Sequence, residues 1–350
     1  MKRLRYSFLL FLCIAFLSAT GCNSAHAESS STPGVSSSFE RPDIVKQSQF
    51  IRINMTTVDS GYAITPKFHL LRTSNGGNSW SDILTIVSLF SYSDQPALFV
   101  LNDKTVYIAS YTTSGVEIRK STDSGESWSK SAIKMQTDDF NSGYGGSLAL
   151  SFIDQSDGFL LTSGLPAAGL MGKAFYKTSD GGNNWSLVGG NSNPTKGSRN
   201  IAGINGYTTG MAFLSKDTGY ITCKYHGQNE ISVYKTADSG TSWSVSSLPL
   251  PNKYASFVYD KNYYTDAFSP AFFGENNKNA KMVLNFCHDE ERDVYIYSSD
   301  NEGTDWHING ISNHLMKKYC FVDDKNGFGL DENGTLYRTN NGGITWSAST

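Results

Sequence analysis

The sequence predicts an all-β chain of six tandem, four-stranded antiparallel units behind an export leader and a flexible tether. Three observations predict it. All six Trp of the 350-residue chain fall in copies of one nine-residue motif. Each copy is flanked by short β-prone stretches, which makes it a hairpin turn. Gly is frequent (33 residues), aromatics reach 13% and charged residues only 17%, a balance that excludes a coiled coil and, for most of the length, disorder.

Residues 1–21 have the layout of a signal peptide. Lys2, Arg3 and Arg5 precede the apolar run Phe8–Leu17, whose ten residues are too few to span a bilayer. The run ends in Leu17-Ser18-Ala19-Thr20-Gly21-Cys22, which resembles a bacterial lipobox, with Ala19 where Leu is most often found. The resemblance implies acylation of Cys22, a membrane held through a lipid, and a location on the outer side of the cytoplasmic membrane. Ala25-His26-Ala27 offers the alternative of ordinary cleavage and a secreted product. Residues 22–48 form a Ser-rich tether and 49–350 a single domain. Removing Lys2, Arg3 and Arg5 takes the formal charge from −3 to −6. With no basic cluster, nucleic acid is excluded as a partner.

The motif appears first as Arg72-Thr73-Ser74-Asn75-Gly76-Gly77-Asn78-Ser79-Trp80. It returns around Asp123, Gly125 and Trp128; Asp180, Gly182 and Trp185; Asp238, Gly240 and Trp243; Asn301, Gly303 and Trp306; and Asn341, Gly343 and Trp346. The Trp residues lie 48, 57, 58, 63 and 40 positions apart, as expected for one supersecondary unit with variable loops. In each turn the Asp or Asn oxygen can accept backbone N–H groups, Gly supplies positive φ, and Trp forms an apolar plug.

These residues resemble the Asp-box, or BNR repeat, from about residue 50 to the C-terminus. The family includes sialidases, sortilin-type receptors, some glycan hydrolases and photosystem II assembly-factor-like propellers. The resemblance implies that the boxes are folding elements at the blade edge, away from any active centre. A second repeat (Asp59-Ser60-Gly61-Tyr62, Asp157-Gly158-Phe159, Asp217-Thr218-Gly219-Tyr220, Lys325-Asn326-Gly327-Phe328) looks like the first hairpin of an assembly-factor-like blade. Each unit then reads strand A, turn, strand B, strand C, box, strand D. The expected fold is a six-bladed β-propeller of four-stranded antiparallel blades, with seven blades as the alternative. The first unit takes Phe50–Met55, Tyr62–Ile64 and Phe68–Arg72, while the apolar spacing of Ile83–Phe90 also fits a helix. No strand exchange closes the ring, so Phe39–Lys46 is expected to pack on the first or last blade as an added edge strand.

A sialidase-like glycoside hydrolase is the enzymatic alternative. Arg52-Ile53-Asn54 matches two of three positions of the Arg-Ile-Pro element that such enzymes carry. Outside the box strands, only Arg41, Arg52, Arg199 and Arg292 remain after the leader to build an arginine triad. Gly143-Tyr144-Gly145-Gly146 lacks the Lys-Ser/Thr of a phosphate loop, and Asp323–Gly327 lacks the alternating ligands of an EF-hand. No metal or cofactor is expected, and Cys223, Cys287 and Cys320 read as buried thiols, one disulfide remaining open.

In a four-stranded meander the D-to-A and B-to-C connections share one face, and the boxes occupy the other. The long connections Met135–Ser147, Gly189–Gly206 and Leu248–Ser269 are all D-to-A. The third carries Tyr254, Phe257, Tyr259, Tyr263 and Tyr264, amphipathic rings suited to anchoring a glycan or peptide; the alternative is that they fold back over a blade. The expected function is a monomeric, non-catalytic binding or assembly scaffold for an extracytoplasmic protein or glycan.

Overall fold

The computed structural model describes residues 44–45, 49–88, 96–135, 144–165, 171–190, 201, 204–226, 231–257, 260 and 262–349. The chain divides into two compact units, 1–41 and 42–350. The leader, Cys22 and most of the tether lie outside the described residues, as do Tyr259, Arg41 and Arg199.

The described residues are nearly all strand and turn. A two-residue strand β1 (Ile44–Val45) precedes a meander of β2 (Arg52–Met55), β3 (Gly61–Ile64), β4 (His69–Thr73) and β5 (Trp80–Thr85). The next meander is β6 (Ala97–Val100), β7 (Val106–Thr112), β8 (Gly115–Ser121) and β9 (Ser129–Lys134). A third is β10 (Gly145–Phe152), β11 (Gly158–Gly164), β12 (Lys173–Thr178) and β13 (Ser186–Gly190). Then come β14 (Tyr207–Phe213), β15 (Gly219–His226), β16 (Val233–Thr236) and β17 (Ser244–Val245). An extra strand, β18 (Tyr263–Ala267), leads into β19 (Ala271–Phe273), β20 (Asn279–His288), β21 (Glu291–Ser299) and β22 (His307–Ser312). The last meander is β23 (Lys318–Phe321), β24 (Gly327–Leu330), β25 (Leu336–Thr339) and β26 (Ser347–Ala348).

Every pairing is antiparallel, and the architecture is propeller-like. Strand β1 adds to the outer edge of the first meander, Ile44 opposite Ser81 and Val45 opposite Trp80, within the segment expected to supply an edge strand. Of Ile83–Phe90, whose spacing also fitted a helix, residues 83–85 are strand, laddered on β4 across a register shift between Leu70 and Leu71, and residues 89–90 lie outside the described residues. One sheet departs from the expected separate blades. It has nine strands, because β18 pairs with β15 on one side and β20 on the other and joins two meanders.

The core lies between meanders rather than within them. Apolar clusters join the first to the second through Tyr62, Leu70 and Ile108, and the second to the third through Tyr107, Leu148 and Phe152. Similar clusters follow along the chain, and another joins the last to the first through Leu330, Leu336, Phe50 and Trp80. Middle strands packed on both faces are therefore buried throughout, as β3, β11 and β24 are. Aromatics carry much of this: Tyr107 stacks on Phe152 and Phe159 on Phe213, both at 3.6 Å. The last-to-first seam has polar ties as well. Arg338 donates to the Gly76 carbonyl and, at 2.8 Å, to Asn78 Oδ1, and the Met55 N–H donates to Cys320 Sγ at 3.2 Å. Cys223, Cys287 and Cys320 are free, and burial pushes the Cys223 thiol up to about 12.

Candidate functional site

The boxes repeat one hydrogen-bond scheme. The leading hydroxyl of each (Thr73, Ser121, Thr178, Thr236, Ser299, Thr339) donates to the Asp or Asn oxygen at 2.7–3.0 Å. It also accepts the N–H of Gly77, Gly125, Gly182, Gly240, Gly303 or Gly343 at 2.8–3.0 Å. The same Asp or Asn oxygen accepts the N–H of the residue before Trp at 2.8–3.0 Å. Two consecutive residues have positive φ: Gly76 and Gly77 in the first box, Ser124 (64°) and Gly125 (95°) in the second. The N–H of the first of each pair reaches the A-to-B turn, as Gly76 to the Asp59 carbonyl at 2.7 Å and Gly342 to the Lys325 carbonyl at 2.7 Å. The boxes thus bind to the A-to-B hairpins and leave the opposite face to other work.

The Trp plugs are unequal. Trp80, Trp243, Trp306 and Trp346 are buried, but Trp128 and Trp185 are only half-buried, which corrects the expectation of six equivalent plugs. Trp185 meets Phe152 edge-on at 6.0 Å and donates to the Gly182 carbonyl at 3.0 Å. Trp80 Nε1 is buried without an acceptor.

Cavities bring some of the sequence-predicted groups together. One, about 520 Å³, is central and lined by the first strand of every meander, β2, β6, β10, β14, β19 and β23. Arg52 lies here, donating to the Ile51 carbonyl at 3.0 Å, whereas Arg292 lines a second cavity. The two described arginines of the supposed triad are therefore not brought together.

The third long connection is packed rather than projecting. Tyr254 (2% exposed) and Tyr263 (1%) belong to the apolar cluster beneath β20, a correction to their expected place on a binding surface. The Tyr254 ring lies 5.2 Å from Phe286 and 6.3 Å from Tyr295, and its hydroxyl donates to Asp293 Oδ2 at 2.9 Å. Phe257 is partly buried and stacks on His288 at 3.7 Å. The rings fold inward because β20 and β21 present a broad apolar face that needs covering. Of the four described rings, Tyr264 lines the second cavity.

That second cavity, about 380 Å³, is floored by the ladder that β18 creates. Lys224 of β15 stands opposite Asp266 of β18, and Asp266 opposite Asn285 of β20. Tyr264 stands opposite Cys287, and Cys287 opposite Arg292 of β21. The far wall is Leu315, Met316 and Lys317, from the connection into β23, with Lys318 and Glu332 of the last meander. Lys224 Nζ lies 3.2 Å from each oxygen of Asp266 and 4.9 Å above the Tyr264 ring. Arg292 donates to the Tyr264 hydroxyl at 3.3 Å. A hydrogen bond from the Tyr264 hydroxyl to Cys287, with burial, holds its pKa above the ordinary phenol value. Sequence reasoning missed Lys224, Asn285 and Lys317. The available signal was Asn285 inside the apolar run Met282–Cys287.

No family model matches the chain, and no curated protein does. Solved structures do. A GH74 enzyme from Niastella koreensis superposes with a TM-score of 0.51 at 16% identity, over 88% of this chain and 46% of that one. An oligogalacturonate lyase from Vibrio parahaemolyticus gives 0.51 at 9% identity, over 87% and 79%. YCF48 from Cyanidioschyzon merolae gives 0.46 at 14% identity, over 89% and 88%. The likeness is one of fold. This chain spans less than half the GH74 enzyme's length, and a β-propeller scaffold serves unrelated chemistries.

Proposed function

We propose that this chain is a six-bladed β-propeller, lipid-anchored through Cys22 outside the cytoplasmic membrane, that binds an extracytoplasmic protein or glycan without catalysis. Blade count is supported by the apolar clusters between successive meanders, the last packing on the first. Anchoring is supported by the lipobox-like leader and the Ser-rich tether, which would hold the domain clear of the membrane.

The observation that carries the binding reading is the cavity floored by β18. A D-to-A connection has been built into the sheet, where it joins two blades and brings Tyr264 and Asp266 beside Lys224 and Arg292. Rigid strands hold such groups more firmly than free loops do.

The test is photo-crosslinking in the cell envelope. A photoreactive residue replacing Lys317, on the cavity rim, should yield a defined adduct; one replacing Glu126, exposed in the second box, should not. Adducts from Glu126 alone would overturn the reading. Cys22→Ala should release the protein from membranes or leave its precursor uncut, and a mature wild-type N-terminus at Glu28 would contradict the anchor.

A further inference from the structure

The cavity floored by β18 has a chemical character that narrows its ligand. Along β20, Met282, Leu284 and Phe286 enter the apolar cluster shared with β15 and β21, and the alternation of the strand sends Asn285 to the opposite side. There it lines the cavity, 1% exposed, and its Oδ1 meets no donor. A buried acceptor left unpaired in a central strand is costly to keep, and local rules are broken mainly where function requires it. A ligand hydroxyl would satisfy it.

The charge around Asn285 is unbalanced. Lys224, Arg292 and Lys317 line the cavity with Asp266 and Glu332, cations outnumbering carboxylates. Lys224 is engaged by Asp266. Arg292 bonds to the Tyr264 hydroxyl, and among the described residues no carboxylate pairs with it. Its guanidinium retains donors in the fork geometry that fits a carboxylate. A phosphate dianion fits less well, because the Asn285 and Asp266 oxygens would repel it. Phe268, Leu315 and Met316 add an apolar wall for a carbon skeleton. A volume of about 380 Å³ is at the small end of ligand sites.

We propose that this cavity binds a hydroxylated carboxylate of monosaccharide size, a sugar acid, with its carboxylate on Arg292 and a hydroxyl on Asn285 Oδ1. The proposal rests on the binding reading above and specifies its ligand. The sugar acid is either free or the end of an oligosaccharide.

The full-length protein is titrated calorimetrically with glucuronate, glucose, inorganic phosphate and an oligosaccharide ending in glucuronate. Glucuronate, or the oligosaccharide if the site requires a chain end, should bind at least tenfold more tightly than glucose or phosphate. Arg292→Gln, at an exposed position, should weaken that binding at least tenfold without moving the thermal midpoint. Asn285→Leu should also abolish it with the midpoint unchanged or raised; a purely structural Asn would lower the midpoint. Equal binding of glucose or of phosphate would overturn the carboxylate assignment, and no binding by any probe would overturn the site. Neither result touches the crosslinking test, which decides separately whether this face meets a partner.

Discussion

The Asp or Asn oxygen of the motif is the residue-scale hinge of each box, and its chemistry divides the boxes into two kinds. Asp123 and Asp180 are held down to about 2, the first chiefly by the Ser127 hydroxyl and the second chiefly by the Asn184 N–H. Asp238 is lowered by the Ser242 hydroxyl. A depressed folded-state value means stability present above the unfolded value of 3.8 and lost as pH falls toward 2. Asn75, Asn301 and Asn341 keep the bonds without the charge. The combined variant Asp123→Asn, Asp180→Asn should therefore show a flatter fall in denaturation midpoint between pH 4 and pH 2 than wild type. Identical acid limbs would show that these carboxylates take no part. The Trp plugs give a second contrast: Trp80→Ala should cost about 3–5 kcal/mol and half-buried Trp185→Ala less than about 3 kcal/mol, measured by denaturant unfolding. The boxes were legible in the sequence because the bonds of the leading hydroxyl and of the Asp or Asn oxygen run between residues at most four positions apart. Less visible was the positive φ of Ser124, Ser239 and Glu302, positions where Gly had not been selected.

At the scale of elements, the strands were legible and the third long connection was not. Strand alternation and turn residues are local signals, whereas Tyr254 is buried by Phe286 and Tyr295, far along the chain. Nothing near Tyr254 distinguishes a ring that covers β20 from one that waits for a ligand. The same reason hid β18, whose ladder depends on β15 and β20, distant in the chain, flanking it on either side. The structure now separates the rings. Tyr254→Ala should cost about 3–5 kcal/mol in unfolding free energy through the cavity it leaves. Tyr264→Ala should change stability by less than about 1 kcal/mol and act instead on binding through the loss of the Arg292 contact. Equal destabilisation by the two would place both in the core.

On the scale of the whole molecule, a propeller of this kind stands or falls by the seam between its ends. Among the described residues no strand is exchanged there; β1 adds to the first meander, and the last packs on the first through Leu330, Leu336, Phe50 and Trp80. Arg338 latches the first box from the last meander as Lys120 latches the third box from the second, donating to the Gly181 carbonyl at 3.2 Å. The proposed binding cavity depends on this closure, since its far wall includes Lys318 and Glu332 of the last meander. Ser74, Thr122, Ala237 and Asn340 are exposed at the same position of the first, second, fourth and sixth boxes. Spin labels there permit pulsed dipolar distance measurement on the full-length protein. A closed six-bladed ring requires the 74–340 distance to equal the 74–122 distance, with 74–237 the longest of the three. A 74–340 distance longer than 74–237 would mean an open arc and would contradict the account.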